Sequence, residues 1–158
     1  MRAAISVIVT TRNAAGDLPE LVPLIFEAVQ EGILRELIFA DAGSTDDTAR
    51  IAEAIGAEVV AGGRAEAAEA AQGDWLLFLD QTDRPETGWT RAAGAHLEGA
   101  GGAPGVFRQG RLADLWARLR GAGPDRAVLI RAAHARAGHS GPARVWAAAN
   151  RPVRRRTA

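Results

Sequence analysis

The order in which apolar runs follow one another constrains this chain more than any other feature. Ile5-Ser6-Val7-Ile8-Val9-Thr10 is a β-branched run that ends on polar residues. Behind Asp17 as a cap, Leu18, Leu21, Val22, Leu24, Ile25, Ala28 and Val29 then recur at helical spacing. Leu37-Ile38-Phe39-Ala40-Asp41 is a second strand, again ending on a carboxylate, and a helix through Ala49, Ile51, Ala52 and Ile55 stops at Gly56. Glu58-Val59-Val60-Ala61 is a third strand, the alanine-rich stretch Ala65 to Gln72 a helix that stops at Gly73, and Trp75-Leu76-Leu77-Phe78-Leu79 a fourth strand. Continuous apolar strands alternating with helices predict an α/β fold, with a mostly parallel sheet buried on both faces by helices. Such sheets bind ligands beyond the carboxyl ends of their strands. Thr10-Thr11-Arg12-Asn13, Asp41 and Asp80-Gln81-Thr82-Asp83 all fall on that edge.

Beyond Asp83 the pattern loosens. Trp89 to Leu97 reads as a helix, and Gly99-Ala100-Gly101-Gly102-Ala103-Pro104-Gly105 as a flexible connection. Charge changes sign there: residues 1–98 carry 17 Asp and Glu against seven Arg, residues 99–158 two against twelve. The expected organisation is one domain in two parts, a ligand-binding part over 1–98 and a shorter Arg-rich part over 99–158. Within the second part, Leu112, Leu115, Trp116 and Leu119 mark an amphipathic helix, Ala127-Val128-Leu129-Ile130 a strand, Ala132 to Ala137 a helix and Val145 to Ala149 a helical turn or two. The Arg-rich tail Arg151 to Arg156 follows.

Composition removes several chemistries. The chain has no cysteine, which excludes disulfides, thiolate zinc sites and a cysteine nucleophile. All 19 basic residues are Arg, so no lysine is present to form a Schiff base or to serve a P-loop. The first strand is followed by Thr-Thr-Arg-Asn, where a dinucleotide site needs a glycine-rich turn. No run of about 18 apolar residues occurs and no signal peptide is recognisable, so a cytoplasmic protein without a transmembrane segment is expected.

Three segments together carry a resemblance. Ser6-Val7-Ile8-Val9-Thr10-Thr11-Arg12-Asn13, Asp41-Ala42-Gly43-Ser44-Thr45-Asp46-Asp47-Thr48 and Gly73-Asp74-Trp75-Leu76-Leu77-Phe78-Leu79-Asp80 stand in the order and spacing of family-2 glycosyltransferases with the GT-A fold. The likeness covers roughly residues 4–98, and with Gly88-Trp89 it is closest to the small bacterial branch of short, soluble transferases. It implies a Rossmann-like sheet that binds a nucleotide-diphospho-sugar and transfers the sugar to an acceptor. By position, Thr10, Thr11 and Asn13 fall in the loop that supports the nucleoside, and Asp41 on the carboxylate that accepts a hydrogen bond from the base. Asp80-Gln81-Thr82-Asp83 falls on the D-x-D motif, whose carboxylates hold a divalent cation, Mn or Mg, against the diphosphate. Asp80 and Asp83 are the implied metal residues, although Thr82 stands where the second aspartate is usual. Arg64 lies where a basic residue often meets the diphosphate; a solvated surface arginine is the alternative. Ser44, Asp46 and Asp47 read as the cap and acidic first turn of the second helix.

The second half departs from the pattern. Active members carry a Glu-Asp pair that deprotonates the attacking hydroxyl, and after Gly88 the only acids here are Glu98, Asp114 and Asp125. His139 is the titratable group nearest in sequence to the missing pair, and an imidazole with an ordinary pKa of about 6.5 suits a general base. Asp125 and Asp83 are the carboxylate alternatives. His96 and His134 read as ordinary helix positions. The Arg-rich end suits the head group of a polyprenyl phosphate or a membrane surface, or pairing with the acidic half within one chain or across a homodimer. No stacking aromatics lie among the arginines, which argues against nucleic acid. Two readings remain beside the enzyme: a sugar-nucleotide binding protein that has lost transfer, and a partner-binding relic of the fold.

Overall fold

The computed structural model describes residues 4–99, 105–106, 128–137, 144–145 and 154–155. The first half alternates as the sequence predicts. Strand β1 (Ile5–Thr11) leads through α1 (Leu18–Gln30) to β2 (Leu34–Asp41), then through α2 (Thr48–Ala54) to β3 (Glu58–Ala61) and through α3 (Arg64–Ala70) to β4 (Trp75–Asp80). Two helices end where glycine permits a left-handed turn. Gly32 (φ 66°) lets Ile33 donate to the Ala28 carbonyl, and Gly56 (φ 71°) lets Ala57 donate to Ala52.

The seven-stranded sheet runs β3-β2-β1-β4-β7-β6-β8, where β6 is Gly105–Val106, β7 Val128–Arg131 and β8 Arg144–Val145. Strands β3, β2, β1 and β4 are parallel; β7 lies antiparallel to β4 and β6 antiparallel to β7. The chain therefore steps outward from β1 to β3 and then returns to the other side of β1. That reversal places a topological switch point between the carboxyl ends of β1 and β4.

Strand alternation divides the core in two. Ile5, Val7 and Val9 face one side with Phe39, Leu77 and Leu79, covered by Leu18, Leu21 and Ile25 of α1, Ala52 of α2, and Trp89 and Ala93 of α4 (Trp89–Gly99). Ile8, Ile38, Leu76, Phe78 and Ile130 face the other, covered by Ala67 and Ala68 of α3 and Ala132 of α5 (Ala132–Arg136). Helices thus close both faces. Ser6 is the polar exception on the second face: its buried hydroxyl donates to Glu36 and accepts the Gly73 amide at 2.8 Å. This stitch ties β1, β2 and the start of β4 at the amino edge, away from the ligand edge.

Three expectations need correcting. Asp17 stands at the N-cap of α1 but its carboxylate makes no capping bond; it serves Gln81 and Arg84 instead. Ser44 does not cap α2, whose N-cap position is Asp47. Val145 belongs to β8 and not to a helical turn, in keeping with the extended preference of a β-branched side chain. The expected helix over Leu112 to Leu119, and most of the stretch from Val145 to Ala149, lie outside the described residues.

Candidate functional site

The register of β1 with its two neighbours builds the site. Thr11 sits opposite Asp41 on β2, and Thr10 opposite Asp80 on β4, so the two pairs form adjacent rungs at the carboxyl edge, on alternate faces of the sheet. With neighbouring strands about 4.8 Å apart, the two carboxylate positions are about two strand spacings from each other.

Asp41 is half-buried and well supplied with donors. Its Oδ1 accepts the Thr11 hydroxyl at 3.0 Å and the Ser44 hydroxyl, and its Oδ2 accepts the Ser44 amide at 2.8 Å. Burial pushes the Asp41 carboxyl up, but the Ser44 hydroxyl and amide, the Thr11 hydroxyl and the Gly43 amide together outweigh it and hold it below its ordinary value. The group is therefore a carboxylate at neutral pH. Ser44 also accepts the Asn13 amide at 2.9 Å, and Asn13, itself left-handed at φ 51°, accepts the Thr45 amide at 2.8 Å.

The loop after β1 is held by its backbone. Four consecutive amides each donate to a side chain distant in sequence: Arg12 to Gln81 Oε1 at 2.7 Å, Asn13 to Ser44, Ala14 to Thr48 Oγ1 at 2.8 Å and Ala15 to Asp46 Oδ2 at 3.0 Å. Asp46 closes the group by accepting the Thr48 hydroxyl and, at 3.1 Å, its amide. Hydrogen bonds from the Thr48 hydroxyl, the Ala15 amide and the Thr48 amide keep Asp46 below the ordinary carboxylate range. Asp47 points elsewhere and pairs with Arg50 on the surface at 2.9 Å.

On the β4 side, Asp80 Oδ1 accepts the Thr82 amide at 3.1 Å and the Thr82 hydroxyl at 2.8 Å, an Asx-type turn. Its Oδ2 receives no hydrogen bond from the described residues. Asp83 is 1% exposed, and its Oδ2 accepts the Asp80 amide at 2.8 Å. The two carboxylates thus face different tasks: Asp83 closes the turn from inside, while Asp80 holds Thr82 with one oxygen only. No group of three or more potential metal-ligating side chains gathers among the described residues. A hard divalent cation that keeps several waters and takes its remaining oxygens from a diphosphate needs only one or two carboxylates. Asp80 fits that limited role.

Arg64, at the start of α3, donates from Nε to Thr10 Oγ1 at 3.3 Å and lies 5.7 Å from the Phe78 ring centroid. The structure thus brings Thr10, Thr11, Asn13, Asp41, Arg64 and Asp80 to one edge, with Asp83 buried beneath it. His139, Asp125 and Asp114 lie outside the described residues, whereas His96 sits in α4 against Trp75 and His134 in α5.

Sequence reasoning missed the clamp that carries the turn. Arg84, its side chain 12% exposed, donates from Nη1 to the carbonyls of Gln81 (2.8 Å) and Asp83 (2.9 Å). Its Nη2 reaches the Asp17 carbonyl at 3.3 Å and carboxylate at 3.5 Å, and its Nε reaches Glu20 at 3.3 Å. Gln81 completes the bridge, donating to Asp17 at 3.0 Å. The only sequence signal was an arginine beside a proline after an acidic turn.

The strand order and the polar residues at its switch point define an α/β protein with a polar carboxyl edge, the place where open sheets of this kind take ligands. The profile of Glycosyl transferase family 2 matches residues 6–103, more than half of the chain, and the protein belongs to that family. Among solved structures it is similar to Staphylococcus aureus TarS 1-349, at 21% identity and TM-score 0.57, over 70% of this chain and 36% of that one. It is also similar to the glucosyl-3-phosphoglycerate synthase of Mycobacterium tuberculosis in complex with Mn2+, UDP and glucosyl-3-phosphoglycerate, at 24% identity and TM-score 0.55, over 83% of this chain and 57% of that one. The UDP complex of that synthase gives 26% identity and TM-score 0.56. The chain therefore spans 36% to 57% of the length of these proteins. No curated protein sequence matches it. No helix among the described residues is long and apolar enough to cross a membrane.

Proposed function

We propose that this chain binds a nucleotide-diphospho-sugar across the β2-β1-β4 edge and transfers the sugar to a hydroxyl or phosphate acceptor. The observation that carries the reading is the pair of adjacent rungs Thr11-Asp41 and Thr10-Asp80, which bring one carboxylate from β2 and one from β4 to the switch point on either side of β1. Asp41, ionised and fixed by Ser44 and Thr11, accepts a donor hydrogen from the base. Asn13, Thr10 and Thr11 line the nucleoside between them, and Arg64 lies within reach of the phosphates. A divalent cation, when bound, neutralises charge on the leaving diphosphate. Asp80 is the residue that would hold it, with Asp83 keeping the turn in shape. The neighbouring synthase structure with Mn2+ and UDP supports use of such a cation in the family.

In the transfer itself, an acceptor oxygen forms a bond to the anomeric carbon as the bond from that carbon to the diphosphate oxygen breaks. The acceptor proton needs a base, and His139 is the residue we assign to it. Loss of transfer with retention of donor binding is the second reading, favoured by the absence of the Glu-Asp pair and by the inward setting of Asp83. Cytoplasmic location, a homodimer that completes the acceptor side, and the division at residues 98 and 99 belong to the same proposal.

Calorimetric titration of UDP and GDP into the protein, with and without manganese, tests it. Binding of one nucleotide, strengthened by the cation and weakened about tenfold in D41N, is expected. Absence of binding to both, with or without manganese, refutes the donor site. Binding without any sugar release from a panel of nucleotide-sugars and acceptors selects the second reading.

A further inference from the structure

We propose that Gln81 is a positioning residue that joins the nucleoside side and the cation side of the donor edge into one unit, so that a ligand on either side tightens the other. This rests on the donor reading above and adds to it a residue to which that reading gives no task. The rungs Thr11-Asp41 and Thr10-Asp80 alternate across the sheet, and each carboxylate takes its hydrogen bonds from its own side, Asp41 from Thr11 and Ser44, Asp80 from Thr82. The polar connection between them goes round the end of β1. Asp41 accepts the Ser44 hydroxyl, Ser44 accepts the Asn13 amide, and the preceding amide, that of Arg12, donates to Gln81 Oε1 at 2.7 Å. Gln81 directly follows Asp80 in the chain.

The side-chain amide of Gln81 is fixed at both ends. Its oxygen faces the Arg12 N–H, and its nitrogen donates to the Asp17 carboxylate at 3.0 Å, so both neighbours dictate the same orientation. The main chain of Gln81 is held as well: its N–H donates to the Thr10 carbonyl at 3.2 Å, and its carbonyl accepts Arg84 Nη1 at 2.8 Å. Arg84 also reaches the Asp17 carboxylate at 3.5 Å, which closes a ring through Gln81, Asp17 and Arg84. Asp17 gives its carboxylate to this ring and not to the first turn of α1.

The partners of the four loop amides show why this one side chain matters. Asn13, Ala14 and Ala15 donate to Ser44, Thr48 and Asp46, which follow β2, whereas Arg12 donates to the turn that follows β4. Without the Gln81 side chain the loop stays anchored to the segment that carries Asp41, and the turn stays anchored to α1 through Arg84. The bond from the Gln81 amide to Thr10 is then what is left, and it meets β1 before the loop begins. Loop and turn open independently in that state. When they open together, a ligand that needs one side closed raises the closed population of the other, and the second ligand binds more tightly. Linkage makes the gain equal in both directions.

The test uses the whole chain and two probes that share no atoms: uridine or guanosine for the nucleoside side, and manganese with pyrophosphate for the cation side. A nucleoside is uncharged, so its tightening by the other probe passes through the protein. In the parent, saturating manganese pyrophosphate should tighten the preferred nucleoside about fivefold or more, and the nucleoside should tighten manganese pyrophosphate by the same factor. Q81M should bring both factors to about one while each probe alone still binds. Q81E keeps an acceptor for Arg12 but sets a second carboxylate against Asp17, and it should lower the factors; adding D17N returns a donor to that contact and should recover them. Hydrogen exchange gives a separate readout, because manganese pyrophosphate should slow the Arg12 amide in the parent and not in Q81M. Thermal melts establish that the variants are folded, and Q81E with and without D17N decides the matter if Q81M is not. A parent that binds both probes without mutual tightening overturns the proposal and leaves the donor reading standing. So does Q81M with a lower melting temperature and the parent's factors, which makes Gln81 a structural residue only. A parent that binds neither probe overturns both.

Discussion

Replacing Gly73 with alanine tests the packing of the sheet at its amino edge. A Cβ built there meets Ser6 Oγ at 2.5 Å, Ser6 N at 2.7 Å and the Ala4 carbonyl at 2.9 Å. Rotating the Ser6 hydroxyl would relieve the first contact, but it would break the bonds to Glu36 and from the Gly73 amide, each worth about 1 kcal/mol net. The other two contacts are backbone atoms of β1 and of the residue before it, and they sit well inside the ordinary separation of about 3.5 Å. Relief needs β1 and the start of β4 to part, which strains the Trp75 amide to Ala4 carbonyl bond as well. Adding about 1–3 kcal/mol for overpacking gives a loss of about 3–5 kcal/mol, a large part of a typical total of about 5–15 kcal/mol. At about 2–4 °C per kcal/mol for a chain of this size, the melting temperature should fall by at least about 6 °C. Urea unfolding followed by tryptophan fluorescence measures it, with G32A as the control. Gly32 has a left-handed φ but open space around it, so strain alone of about 1–2 kcal/mol applies there. A G73A midpoint shift no larger than that of G32A would refute the contact argument. Backbone entropy alone predicts the opposite sign for G73A, a gain of about 0.4–1 kcal/mol.

Other outcomes follow from the ligand edge. R84Q should cost about 2–4 kcal/mol in urea, because it unties residues 81–84 from α1 and leaves Asp17 without its cation, and it should weaken diphosphate more than nucleoside binding; equal effects on both ligands would count against the turn as the diphosphate side. Asp46 and Asp41 are depressed in the folded state, so their contribution is complete above the unfolded carboxylate value and disappears as pH falls through the folded values. Stability should therefore decline on the acid side more steeply in the parent than in D46N, and parallel curves from pH 6 to pH 2 would contradict this. H139Q should abolish sugar transfer while leaving donor affinity within twofold; unchanged turnover would remove His139 as the base. D80A should remove the manganese enhancement of nucleotide binding, and an enhancement of parent size in that variant would count against Asp80 as the cation's carboxylate.

The first half of the fold was legible because its strands are long, continuous and apolar. Ile5 to Thr10 and Trp75 to Leu79 could hardly be anything but buried strands, and Gly56 marked the end of α2, whereas α3 stops at Ala70, short of Gly73. The bonds that make the site work were less visible. Asp17 looks like a helix cap and Ser44 like another, because each precedes a helical run; the carboxylate of Asp17 is instead claimed by residues 64 and 67 positions away, and the hydroxyl of Ser44 donates to Asp41 while accepting the amide of Asn13, 31 positions away. No local pattern records such partners. The two-residue strands β5 (Asp83–Arg84), β6, β8 and β9 (Arg154–Arg155) are too short for any period to show, and Arg154–Arg155 reads only as part of an Arg-rich tail until its pairing with Asp83–Arg84 is seen.

The four amides of residues 12–15 shift where sequence variation is tolerated. Their contacts are made by main chain, so neither Arg12 nor Ala15 needs to keep its side chain for the loop to hold its shape. The burden falls on Gln81, Ser44, Thr48 and Asp46, which lie outside that loop in sequence. Drift is thus permitted at Arg12 and Ala15 and restricted at the distant residues that receive these bonds. The same four amides, though in a connection between a strand and a helix, should exchange with solvent deuterium as slowly as strand amides, and their joint speeding up in S44A, T48A or Q81A would show which neighbour had let go.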